Sequence, residues 1–147
     1  MNYSDIQDTD FFMCEAFKQI LASPDTELEK KLGSEARFAI ANYLTTLPKE
    51  DFQNPAVMAN HIAKFCQLPE NENLQEWWGD IYDKLDEDGI DIFVKKSRDP
   101  SEEADDEAET KRILTNEGRD IGKYLELWAK EVISQNNQRN QNASNSK

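Results

Sequence analysis

Prolines at positions 24, 48, 55 and 69 cut the first half of the chain into short segments, and the segments between them repeat apolar residues three and four positions apart. A period near 3.6 is that of an amphipathic helix, and the residue before a proline is pushed out of helical conformation. The pattern predicts a series of short helices that bury one stripe each, not a sheet and not one long rod.

Leu74, Trp77, Trp78, Ile81, Tyr82 and Leu85 follow the helical template most closely, with Glu76, Asp80, Asp83 and Lys84 on the other face. This helix should open at Asn71 or Asn73 and leave at Gly89, since glycine is the usual helix exit. A first helix is expected from about Thr9 or Asp10, with Ser4 and Gln7 offering a slightly earlier capping box; Met13, Cys14, Phe17, Ile20 and Leu21 form its stripe. Ser23 and Pro24 read as a cap and first-turn proline for a short helix to Leu32, closed by Gly33. Ser34 caps a helix over Glu35 to Leu47. Phe38 and Ala41 fall off its stripe, and so wide an apolar arc predicts a central helix. Asn54 and Pro55 open another, carrying Val57, Met58, Ile62 and Phe65. The last is expected over about Glu117 to Ser134, through Ile121, Tyr124, Leu125, Trp128 and Val132, with Ile113 and Leu114 offering an upstream extension through Gly118, which weakens the helix there.

Only Ile90 to Val94 has strand character, and one such run cannot make a sheet. Residues 97–112 are dense in acid and poor in apolar side chains, which predicts a mobile linker or a solvated helix start capped by Ser101. Residues 135–147 are Asn, Gln and Ser-rich and are expected to be a disordered tail. The fold class expected is all-α: an irregular or orthogonal bundle of five or six helices, with at most one short extended segment, in a single domain over residues 1–134.

The chain holds 30 acidic and 17 basic residues, a formal charge of -13. Such a surface repels phosphate backbones and anionic lipid, so direct binding to nucleic acid or a membrane is not expected, and it favours encounter with a basic protein. The densest basic cluster, Lys95, Lys96 and Arg98, runs straight into acid. The two cysteines, Cys14 and Cys66, lie in apolar patterns outside any CxxC pair, and the first residues lack the basic start and apolar core of a signal peptide. Both features predict reduced thiols and a cytoplasmic location.

Motifs for chemistry fail on spacing. Residues 83–89 resemble a calcium loop, but aligning Gly89 to the loop's glycine puts Lys84 and Lys95 at the ligand positions that open and close it. His61 is the single histidine, and Cys66, five residues on, points about 140° away on a helix. A boundary histidine with one hydrogen bond is the expectation, and no metal or cofactor is predicted. No nucleophile elbow or phosphate-cradling glycine loop occurs.

Binding features remain. Trp77, Trp78 and Tyr82 fit the core stripe, yet a tryptophan reaching the surface within an acidic field is an interface anchor. Glu102, Glu103, Asp105 and Asp106 offer a docking segment for a basic partner. The functional expectation is a non-catalytic regulator, inhibitor or immunity-type protein that binds a basic protein surface. The alternatives are a structural subunit assembling as a homo-oligomer, of a size that the sequence leaves open, and an enzyme whose site carries no recognisable motif.

Overall fold

The computed structural model describes residues 7–89 and 107–145, the side chains of 107–111 and 136–145 excepted. Among the described residues there are six α-helices and no strand: α1 (Asp8–Leu21), α2 (Asp25–Leu32), α3 (Ala36–Thr45), α4 (Pro55–Cys66), α5 (Glu72–Asp88) and α6 (Glu107–Asn145). Short 3-10 turns at Lys49–Gln53 and Pro69–Asn71 lead into α4 and α5. The all-α expectation holds. Ile90 to Val94 and the acidic residues Glu102, Glu103, Asp105 and Asp106 lie outside the described residues.

Helix α1 forms the centre. The Gln7 backbone N–H donates to the Asp10 carboxylate at 3.0 Å, holding one of the amides that a helix start leaves free. Phe11, Phe12, Cys14, Ala16, Phe17, Ile20 and Leu21 are all buried, because α4, α5 and α6 each pack on a different side of α1. The central place expected for α3 is therefore taken by α1. Helix α3 lies on α6, with Phe38 40% exposed. Helix α2 also packs on α3, and of the two residues off its stripe Ala41 is buried while Phe38 is left at the outer edge.

Caps and glycine exits explain several boundaries. Asn54 accepts the Val57 N–H at 3.4 Å and Pro55 begins α4, as the sequence indicates. Gly33 (φ 105°) and Gly89 (φ 86°) end α2 and α5 in the left-handed region that only glycine enters freely. Three predicted side-chain caps do not form: Asn71 stands at the start of α5, but its amide donates to Phe65 O at 2.7 Å. The Ser23 hydroxyl donates back to Gln19 O at 3.0 Å, closing α1, and α2 starts after an extended Pro24. Helix α3 begins after Glu35, not Ser34, without a side-chain cap.

Helix α6 is longer than expected at both ends. It takes in the upstream extension at Ile113 and Leu114 and begins at Glu107, within the acidic run read as a linker or a solvated helix start, and its backbone continues through Asn145, so residues 135–145 of the expected disordered tail are helical. No proline or glycine follows Gly122 to interrupt it, and propagating an existing helix needs no new nucleus. Ile121, Leu125, Ala129 and Val132 bury its inner stripe. The 3-10 turn at Lys49–Gln53 is wedged between α4 and α6, with Phe52 buried between them.

Candidate functional site

The structure separates the three aromatic residues singled out on α5. Trp78 turns into the core: it is 9% exposed, and its indole N–H donates to Met13 O of α1 at 3.0 Å. That bond satisfies the ring's one polar atom, so Trp78 is a packing residue and not a surface anchor. Tyr82 and Trp77 sit half-buried on opposite flanks of this buried stripe.

Tyr82 lies on the α1 side, edge-on to Phe12 with ring centroids 6.2 Å apart. Burial raises the pKa of its hydroxyl, and the charges of Asp86, Asp83 and Asp10 raise it further. Trp77 lies on the α2 side. The Lys31 ammonium stands 4.4 Å from the centre of its ring and also pairs with Glu27 at 3.3 Å. Lys31, Asn73, Glu76, Trp77 and Asp80 line an open concavity of about 230 Å³.

Between these flanks α5 faces outward. At 100° per residue, Glu72, Glu76, Asp80, Asp83 and Glu87 fall within an arc of about 80°, and all five are exposed. Asp86 and Asp88 add to the same helix, whose one basic residue is Lys84. Sequence reasoning placed Glu76, Asp80 and Asp83 opposite the core stripe but did not weigh them as a site. The signal was present in the four-residue spacing of Glu72, Glu76 and Asp80. Lys31 carried no local signal, because only tertiary packing brings α2 beside α5.

Other constellations are modest. His61 Nε2 and Asp51 Oδ2 lie 2.9 Å apart, and the His61 carbonyl accepts from the Tyr43 hydroxyl at 3.1 Å. This ties α3, α4 and the 3-10 turn together and gives the histidine ring the single partner expected of it. A dent of about 200 Å³ between α3, that turn and α6 is lined by Leu44, Leu47, Phe52 and Ala129, with Lys49 and Lys130 at its rim. Residues 83–88, which resembled a calcium loop, are helical. Among the described residues no three His, Cys, Asp or Glu side chains gather as metal ligands.

Both thiols are free and buried. Burial pushes the Cys66 pKa up to about 12. It raises Cys14 as well, with Asp10 and Glu15 adding to the effect, and the Cys14 thiol reaches Pro55 O at 3.5 Å. A thiol held protonated is a poor nucleophile. Since folding raises the Cys66 pKa from its ordinary 9.0, its contribution to stability is complete below pH 9 and is lost as pH climbs toward about 12. The melting temperature should therefore fall through this window, and less steeply in Cys66→Val. An identical slope in both proteins would refute the assignment.

Comparison of the chain with protein-family models, with curated proteins and with solved structures finds no match. Among the described residues no helix is long and apolar enough to cross a membrane.

Proposed function

We propose that the chain is a non-catalytic binding protein that docks the outward face of α5 on a basic protein surface, as a regulator, inhibitor or immunity-type protein does. The observation that carries this reading is the carboxylate ridge of Glu72, Glu76, Asp80, Asp83 and Glu87 on one rigid helix, flanked by the half-buried Trp77 and Tyr82. A ridge of one sign steers an oppositely charged partner, and aromatic residues beside it supply desolvated contact area.

Glu72 in the first turn suits the helix dipole, but the acids at the other end of the helix do not. Asp86, Glu87 and Asp88 occupy its last turn, where no basic residue offsets them. Anions there oppose the helix dipole at a cost of about 0.3–1 kcal/mol each. Of these three Glu87 belongs to the ridge, and its costly placement with no return in packing supports a role in encounter. The same charge disfavours nucleic acid as the direct partner. The two free, buried thiols support a reducing, cytoplasmic setting.

The test is capture from a native lysate on the immobilised chain, with salt raised from 0.05 to 1 M, a range over which the screening length falls to about 3 Å. Capture should weaken steeply. Joint neutralisation by Glu72→Gln, Glu76→Gln, Asp80→Asn and Asp83→Asn should reduce it by about fourfold or more, from roughly 0.2–1 kcal/mol per exposed pair. Capture unchanged by salt and by neutralisation overturns the reading. A stable dimer at both salt extremes by light scattering would instead favour a homo-oligomeric subunit.

A further inference from the structure

We propose that the concavity at Trp77 is a receptor for the guanidinium of a partner's arginine, and that Lys31 occupies it in the free protein. This rests on the acidic-face reading above and names the side chain which that face receives. The notch lies between α2 and α5, and its lining combines an indole ring, two carboxylates (Glu76 and Asp80), the Asn73 amide and the Lys31 ammonium. The carboxylates alone would be no more than a solvated helix face. What marks the place as a cation receptor is that the ring already holds a cation: the Lys31 ammonium stands 4.4 Å from the ring centre, inside the distance at which an indole quadrupole attracts positive charge. Lys31 covers that ring face in the free protein, and both line the concavity, so the face is offered to an outside cation when Lys31 moves aside.

Arginine fits this lining better than lysine. A guanidinium is planar and stacks on an indole while the N–H donors along its edge stay in its own plane, parallel to the ring and free to bond outward. Glu76 and Asp80 are one helical turn apart on either side of Trp77 in sequence, so their carboxylates border the ring and can accept from that edge. An ammonium has no extended face to lay on the ring. Lys31 can yield the place without loss of all its partners, because Glu27, one turn earlier on α2, already lies 3.3 Å from its ammonium. On this account arrival of the partner's arginine displaces Lys31 toward Glu27 and exchanges an internal cation for an external one.

The experiment follows the indole N–H signals of the full chain by NMR while Nα-acetyl-arginine N-methylamide is added, with the lysine analogue and the neutral citrulline analogue as comparators. There are three tryptophans, and Trp77→Phe identifies the signal concerned. The Trp78 N–H, held by Met13 O, serves as an internal reference. The Trp77 signal should shift saturably, most tightly with arginine and not with citrulline. Lys31→Met should tighten arginine binding by about threefold or more, the loss of a competing cation–π contact, while Lys84→Met, which removes the same charge from α5 itself, should change it by less than half as much. Trp77→Leu should abolish the saturable response of the Asn73, Glu76 and Asp80 backbone signals, and Trp77→Phe should weaken it. The proposal is overturned if citrulline or lysine binds as well as arginine, if Lys31→Met and Lys84→Met act alike, or if the backbone response survives Trp77→Leu in a chain whose circular dichroism is unchanged. Its failure is distinct from failure of the docking face: partner capture lost on carboxylate neutralisation, with Trp77 indifferent to arginine, sinks the notch alone.

Discussion

Trp78→Ala should cost about 3–5 kcal/mol of folding stability, whereas Trp77→Ala, one residue away, should cost about 1 kcal/mol or less. The indole of Trp78 is 9% exposed, lies beside the Tyr82 ring at 6.1 Å between centroids, and donates to Met13 O of the central helix. Truncation leaves a cavity against α1 and removes the second donor to the Met13 carbonyl, which keeps its helical bond from the Phe17 N–H, and both effects run in the same direction. Trp77 has one face open to the concavity beside α2. Its removal forfeits the contact with Lys31 and part of an outer flank, with no closed void. Urea denaturation of the two variants reads the difference directly. For binding the order should invert, with Trp77→Ala the damaging change once a partner is in hand. Equal stability losses would mean that the division of α5 into an inner and an outer tryptophan is wrong.

That division also marks where sequence reasoning stops. The stripe from Leu74 to Leu85 was plain from its spacing, and so were the starts and ends set by Asn54, Pro55, Gly33 and Gly89, since each depends on a residue's own backbone chemistry. Which of two adjacent tryptophans is covered was not readable. Neighbours on a helix diverge by 100° and straddle the stripe, so the answer depends on α1 lying over one and α2 merely edging the other. The same limit explains α3: its pattern records that Phe38 is apolar, not that solvent faces it. Ser23 and Ser34 failed as caps because a serine can bond forward or back along the chain, and Ser23 bonds back to Gln19. The length of α6 was missed for a different reason. Polar composition between 135 and 145 argues against a packed core but not against continuation of a helix already formed at Val132.

Gly122→Ala should destabilise the protein by about 3 kcal/mol or more, a fall in melting temperature of roughly 6–12 °C for a domain of this size. The sequence suggests the opposite sign, because replacing a glycine inside a helix by alanine normally gains about 0.5–1 kcal/mol. At Gly122 the geometry decides. A Cβ there would overlap the Phe52 carbonyl oxygen and stand 2.9 Å from its carbon. The obstacle is backbone, so no rotamer change relieves it, and α6 has to lift off the 3-10 turn at Lys49–Gln53. That turn cannot follow freely: Phe52 is buried under α6 and Asp51 is held to His61 on α4. Gly79 supplies the contrast, since an added Cβ meets nothing within 4 Å there, so Gly79→Ala on α5 should gain the usual helix increment. Opposite signs for these two alanines in thermal melts would establish that α6 is seated on the turn at Gly122. The same sign for both would show that the two elements do not approach so closely, and the anchoring of α6 to the bundle would need another explanation.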